Sequence, residues 1–203
     1  AATRVALHGG GAVAERLAAA LQRAGIGFER VAASEWTGLA VDGAELRLTD
    51  GRCAAEVAAA TGVRDTALFD FIAAADAGGA APALAWTAAA SASPGWREGA
   101  PAWLQALGWT PLAVGDAPGL VVARTVAMLV NEGADAVQQG VCEPGEADTA
   151  MKLGLNYPAG PFEWLARWEA RAVVALVERL DAQYRGERYR VSPWLRQRVW
   201  AEG

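Results

Sequence analysis

Lysine is almost missing from this 203-residue chain: Lys152 is the only one, against 17 arginines. Basic residues as a group fall short of acidic ones, 18 to 23, which leaves a net charge of −5 and a pI near 5.0. A nucleic-acid binder would carry a basic footprint, so that class is excluded. Cysteine is scarce too. Cys53 and Cys142 make neither a disulfide framework nor a zinc site, and no Cys-x-x-Cys occurs. A reduced, cytoplasmic setting is the expectation. Long apolar runs are lacking as well. The best one, Leu120 to Val130, is interrupted by Arg124 and falls short of a membrane span. No basic segment followed by an apolar core opens the chain, so no signal peptide is expected. Nor does a Met. Ala1-Ala2 run at once into a strand-like stretch, which reads as a piece of a longer polypeptide. Histidine occurs once, as His8, so a Ser-His-Asp or Cys-His set would have to use that residue.

What is abundant is apolar. Hydrophobic residues make up 53% and charged ones 20%, enough to bury a core and too few charges for disorder. The 49 alanines and 23 glycines are about a third of the chain. They lack the strict three-residue period of collagen, so the surplus is compositional.

The patterning changes near residue 110. Before it, short strand-like and helix-like segments alternate. Strands are expected at Arg4–His8, 27–32, Glu45–Leu48, Thr66–Ile72, Ala83–Trp86 and Pro111–Val114. Helices are expected at Ala12–Ala24, Arg52–Ala60 and Pro101–Leu107. This alternation implies βαβ units and an open, parallel, Rossmann-like sheet. The second half is helical. Pro118 opens a helix running to about Gln139, and Pro144 a second one ending at Gly154. Pro158-Ala-Gly-Pro161 is a rigid connector to a third. Trp168–Tyr184 is a fourth, with Ala172, Val173, Leu176, Val177, Leu180 and Tyr184 as its buried stripe. Ser192-Pro193 caps a last short helix. The expected domains are residues 1–114, α/β, and residues 115–203, all-α.

The first strand leads into Gly9-Gly10-Gly11-Ala12-Val13-Ala14, the Gly-x-Gly-x-x-Gly/Ala form between a strand and a helix. Gly9 would allow the tight turn and Gly11 the approach of backbone N–H groups to a pyrophosphate. Ala14 would let helix and strand pack closely. Gly9, Gly11 and Ala14 are therefore the candidate cofactor-binding residues. The pattern also wants an acid at the end of the second strand to hold the ribose hydroxyls. Ala32 stands there, and Glu29 and Glu35 are off register. The expectation is a vestigial loop in a shape that no longer binds, with retained dinucleotide binding as the alternative. His8 lies under the loop and is read as a partly buried residue bonded to backbone. No catalytic residue and no metal ligand are assigned.

The stretch Asp116 to Pro161 carries a resemblance. Asp116-x-Pro118-Gly119, Arg124, Asn131-Glu132, Gly140-Val141, Asp148-x-Ala150-Met151, Gly154 and Pro158-x-Gly160-Pro161 follow one another in order. With the later YRVSPWLRQRV, they resemble the C-terminal helical domain of 3-hydroxyacyl-CoA dehydrogenases, including 3-hydroxybutyryl-CoA and 3-hydroxyadipyl-CoA dehydrogenases. The family pattern places a working Asn just before the Arg; here Ala123 stands there. Its catalytic His–Glu dyad has no counterpart, since no His lies between Ala67 and Pro111. Residues 84–94 offer no Glu.

The resemblance thus implies a shortened, degenerate Rossmann half joined to a full helical domain. It also implies a parent enzyme that oxidises 3-hydroxyacyl-CoA to 3-ketoacyl-CoA with NAD. This chain would be its C-terminal fragment, inactive by itself and possessing no NAD of its own. The alternatives are a dimerisation or acyl-CoA-pocket module of a longer dehydrogenase, or a stand-alone nucleotide-binding module. The expected partners are an acyl-CoA substrate in the parent and a second copy, bound through the helical domain. Asn131, Glu132 and Asp148 are read as bonding helix ends and loops, with a substrate role as the alternative. Arg185, Arg188, Arg190, Arg196 and Arg198 are either a CoA-phosphate site or a solvated face. Trp103, Trp109, Trp164, Trp168, Trp194 and Trp200 are assigned to cores and an interface.

Overall fold

The computed structural model describes residues 3–72 and 81–201, so the opening Ala1-Ala2 lies outside it. The chain forms two compact units, Ala1–Val121 and Val122–Gly203. The first holds β1 (Val5–His8), α1 (Gly11–Arg23), β2 (Glu29–Val31), β3 (Gly38–Val41) and β4 (Ala44–Leu48). It continues through α2 (Ala54–Thr61), β5 (Thr66–Phe69), β6 (Ala83–Ala88), α3 (Pro94–Ala106) and β7 (Thr110–Ala113). The second holds α4 (Val122–Gln138), α5 (Pro144–Leu155), α6 (Pro161–Trp168), α7 (Ala170–Tyr184), a 3-10 turn at Glu187–Tyr189, and α8 (Pro193–Ala201).

The first unit is α/β and Rossmann-like, as expected. Its sheet, however, is mixed and not all-parallel. The strand order is β2-β1-β3-β4-β5-β6-β7. The β1–β2, β4–β5 and β6–β7 pairs are parallel; β1–β3, β3–β4 and β5–β6 are antiparallel. The cause is a hairpin that the sequence reading passed over. Asp42 and Gly43 both have positive φ, 49° and 91°, as a two-residue type I′ turn requires. That turn folds β3 back on β4, and β3 then enters the sheet beside β1.

Local chemistry explains the helix bounds. α1 buries Val13, Ala14, Leu17, Ala18, Ala20 and Leu21 along one face. It ends in a Schellman pair: Ile26 N–H donates to Leu21 O and Gly25 N–H to Gln22 O, with Gly25 left-handed at φ 67°. α3 starts seven residues before the expected Pro101, at Ser93-Pro94. The Ser93 hydroxyl accepts the Trp96 N–H, and its own N–H and O–H donate to Asp65. The edge strand β7 carries Pro111, which has no N–H to offer a passing strand.

Beyond residue 114 the chain stays with the first unit. Ala54 and Ala55 at the start of α2 donate their N–H groups to the two carboxylate oxygens of Asp116, at 2.6 and 3.0 Å. Leu120 and Val114 pack with Ala54, Val57, Ala58, Leu68 and Ala89. Val121 N–H donates to the fully buried Asp70 at 2.9 Å.

In the second unit α4 is central and packs against α5, α6, α7 and α8. Gly133 lets Pro161 close on it; an added Cβ would meet Pro161 Cβ at 3.2 Å. Val173, Leu176, Val177 and Leu180 of the expected α7 stripe are buried, but Ala172 and Tyr184 are exposed. Ser192 does not cap α8. Its hydroxyl is buried without a hydrogen-bond partner, and its N–H donates to Asn131 Oδ1 at 2.8 Å.

Candidate functional site

A ligand of an open α/β sheet sits where neighbouring crossovers diverge, beyond the carboxyl ends of the strands. Here β1 crosses to β2 on one side and β4 to β5 on the other, so that point falls between β1 and β4. The strand lying there is β3, and the segment feeding it, residues 32–37, crosses the crevice.

The glycine loop stands at this crevice. Gly9 and Gly11 take positive φ, 87° and 76°, and Gly10 precedes α1 with no side chain to cap it. Gly9 has a close neighbour, but it is the chain itself: an added Cβ would lie 2.5 Å from Thr37 Oγ1 and 2.7 Å from Trp36 O. Ala14 is fully buried on α1 and serves helix–strand packing. Ala32 is exposed just after β2, and Glu29 and Glu35 are exposed too.

Trp36, which sequence reasoning overlooked, organises the crevice. Strand register puts His8 opposite Gly38, and Gly38 opposite Arg47. Gly38 has no side chain to fill the gap between them, and a Cβ there would reach within 2.9 Å of Arg47 Cα. The Trp36 indole lies in that slot. The His8 ring stacks on it at 4.2 Å and 12°, and the Arg47 guanidinium lies 4.1 Å from its centroid. Arg47 is itself nearly buried and paired with Glu45 at 2.6 Å. His8 Nδ1 also bonds the Ser34 hydroxyl at 3.2 Å. The only available signal was an indole two residues before a glycine, which says nothing of partners on other strands.

His8 is not bonded to backbone as expected; its partners are a hydroxyl and an indole. Burial lowers its pKa below the ordinary imidazole value, and Arg47 adds to this, while Glu45 and Glu29 oppose it. The folded chain therefore holds the His8 proton less tightly than the unfolded chain. The stabilisation is complete above the unfolded value of about 6.5 and declines as pH falls through it. The urea midpoint should thus drop between about pH 8 and 5.5 more steeply for the parent chain than for His8→Gln. Equal slopes for the two would remove His8 from this linkage.

The polar residues of the helical unit tie segments together. Asn131 is buried, donates to Arg190 O at 2.9 Å and accepts from Ser192 N–H. Asp148 accepts the Phe162 N–H at 2.8 Å and so caps α6. Glu163 accepts the Gly160 N–H and pairs with Lys152. Glu132 is exposed on α4. The five arginines do not form one cluster of free cations. Arg190 pairs with Asp135 and Arg196 with Glu178, both at 2.6 Å, and Arg198 lies over Trp194. Arg185 ends α7 with φ 45°, and Arg188 lines a groove on α4. Trp109, Trp164 and Trp168 are core; Trp103 and Trp194 are half-buried, and Trp200 is 71% exposed. Ala123, where the resemblance puts a working Asn, is fully buried. Among the described residues no group of His, Cys, Asp and Glu is arranged to hold a metal ion. No described helix is long and apolar enough to cross a membrane.

A Rossmann-like sheet followed by a five-helix unit is the layout of a two-part dehydrogenase chain. Residues 46–118 match the 3-hydroxybutyryl-CoA dehydrogenase reduced Rossmann-fold domain, and residues 119–202 match the 3-hydroxyacyl-CoA dehydrogenase C-terminal domain. The chain belongs to the 3-hydroxyacyl-CoA dehydrogenase family. It is 46% identical over 100 residues to 3-hydroxyadipyl-CoA dehydrogenase of Escherichia coli K12, covering 49% of this chain and 21% of that protein. It is 39% identical over 95 residues to a probable 3-hydroxybutyryl-CoA dehydrogenase of Deinococcus radiodurans, covering 47% of this chain and 34% of the relative. The crystal structure of 3-hydroxybutyryl-CoA dehydrogenase from Escherichia coli K12 superposes with a TM-score of 0.73 at 35% identity. That match covers 81% of this chain and 33% of the other. The chain thus spans a third or less of that structure and about a fifth to a third of these relatives. The glycine loop and Trp36 lie before residue 46, outside both family matches.

Proposed function

We propose that this chain is a non-catalytic part of a 3-hydroxyacyl-CoA dehydrogenase whose other residues oxidise a 3-hydroxyacyl-CoA to the 3-ketoacyl-CoA with NAD. It supports the catalytic part and dimerises through its helical unit; it holds no NAD of its own. The carrying observation is the Trp36 indole between His8 and Arg47, with the Trp36-Thr37 backbone against Gly9. Gly9 and Gly11 keep the turn, and Ala14 the packing, of a loop built for a pyrophosphate, and Gly10 and Gly11 are exposed, but Thr37 closes on Gly9 and Ala32 stands where an acid would hold the ribose. The residues present do not fit a dinucleotide. The buried Ala123 and the lack of a second histidine support the reading that no catalytic residue resides here. The half-buried free thiols Cys53 and Cys142 fit a reducing, cytoplasmic compartment.

NADH titration tests this directly, because Trp36 sits at the crevice and reports on it. Tryptophan emission should fall only by inner-filter absorption, with no saturation up to about millimolar NADH. Saturable quenching in the micromolar range would overturn the reading and restore Gly9, Gly11 and Ala14 as cofactor contacts.

A further inference from the structure

Helices α6 and α7 are joined by one residue, Glu169, at a point where the sequence has no helix breaker. No glycine or proline occurs between Pro161 and Gly186, and Glu is itself a good helix former. The cause of the bend is a change of face. α6 buries Trp164, Leu165 and Trp168; α7 buries Val173, Val177 and Leu180. At about 100° per residue, one straight helix would set the centres of these two stripes about 140° apart. Both helices pack against α4, so the chain must turn between Trp168 and Ala170. It does so at Glu169, with φ 73° and ψ 135°, a conformation open to glycine and costly for any residue with a Cβ. The Glu169 side chain is exposed and makes no capping bond to α7. The strain is therefore imposed by the packing on either side.

Beyond this elbow, α7, the 3-10 turn and α8 hold one another. Arg196 of α8 pairs with Glu178 of α7 at 2.6 Å, and the Tyr184 and Tyr189 rings lie 5.3 Å apart. The group is fastened to α4 at the end remote from Glu169. The buried Asn131 donates to Arg190 O at 2.9 Å and accepts the Ser192 N–H at 2.8 Å. Beside it Arg190 pairs with Asp135 at 2.6 Å, and Arg124 donates to the Tyr184 hydroxyl at 3.1 Å. Breaking these bonds lets Glu169 return to an ordinary conformation while α7 stays helical, so released strain offsets part of the cost of opening.

We propose that Glu169 is a strained hinge, and Asn131 its latch, on which α7, the 3-10 turn and α8 open from α4 as one body.

Amide hydrogen exchange of the full chain in rising urea, below the unfolding transition, tests it. Amides of α7 and α8 should exchange through one common opening, less dependent on urea than that of the α5 amides, which wait for global unfolding. Glu169→Gly relieves the strain and should slow the α7 and α8 amides about fivefold. Glu169→Ala keeps the strain and loses only the carboxylate, so it should leave them unchanged. Asn131→Ala removes the latch and should speed them about tenfold. Should Asn131→Ala fail to fold, the parent chain and the Glu169 variants still decide the hinge. One shared urea dependence for α5, α7 and α8 would mean that the helical unit opens only as a whole, and overturns the hinge. Separate openings of α7 and α8 overturn the single body. No slowing by Glu169→Gly, or equal slowing by Glu169→Ala, overturns the strain. A folded Asn131→Ala chain with unchanged exchange overturns the latch.

Discussion

Gly160→Ala should unfold the helical unit under conditions where the parent chain is stable. Gly160 has an ordinary φ of −84°, so the demand is for space and not for a special backbone. An added Cβ would press on Asp148 Oδ1, Cβ and Cα at well under 3.0 Å. Rotating the Asp148 side chain relieves the first of these but leaves the clash with the main chain. Rotation would also withdraw the carboxylate from the Phe162 N–H that it caps. Helix α5 and the start of α6 must then separate. Overpacking of this kind costs about 1–3 kcal/mol, and a lost buried acceptor adds about 1–3 more, so about 3–5 kcal/mol is expected. Asp148→Ala removes only the cap and should cost about 1–2 kcal/mol. Asp148→Gly added to Gly160→Ala should not restore stability, because the main-chain clash remains. Urea unfolding followed by the helical signal measures all three. A Gly160→Ala chain within about 1 kcal/mol of the parent would refute the steric account.

Gly160 and Asp148 both stand in the pattern that marked the family resemblance. Their distance in sequence hid the reason one needs the other. The helical half was legible because its signals are local. Pro144 and Pro161 begin helices, Gly140 ends one, and the alternation of Val173, Leu176, Val177 and Leu180 marks a buried face. The reading erred where a local rule met a tertiary competitor. Ser93-Pro94 and Ser192-Pro193 carry the same helix-start signal, yet only Ser93 caps. Asn131 takes the Ser192 N–H, and packing leaves the Ser192 hydroxyl enclosed. Asp42-Gly43 was a hairpin signal in plain view, masked by the expectation of parallel βαβ units. With that hairpin in place, β3 enters beside β1, and the residues that lead to it close on Gly9. The missing ribose acid and the missing dyad were visible as substitutions. The filling of the crevice was not, because His8, Trp36 and Arg47 come from three separate segments.

Trp36→Gly should produce the larger effect in the α/β unit and decide what closes the crevice. The indole is half-buried, so the loss should be about 2–4 kcal/mol, below that of a fully enclosed tryptophan. Part of it is the stack with His8, part the cation–π contact with Arg47, which keeps its ion pair with Glu45. Removal leaves a flat slot between an imidazole and a guanidinium. Free indole has the shape to refill it and should raise the unfolding midpoint of the variant but not of the parent chain. ADP should not do the same. The ring fills the slot over Gly38, but Thr37 and the Trp36 carbonyl, which survive the substitution, are what approach Gly9. Gly9 therefore stays covered by main chain after the ring is gone, and no acid stands at position 32 to hold a ribose, while Gly10 and Gly11 are exposed. A rescue by indole with no response to ADP is the expected pair of results. Saturable ADP binding by Trp36→Gly would mean that the ring alone keeps the loop shut. A stability change below about 0.5 kcal/mol would mean that the stack contributes nothing to the fold.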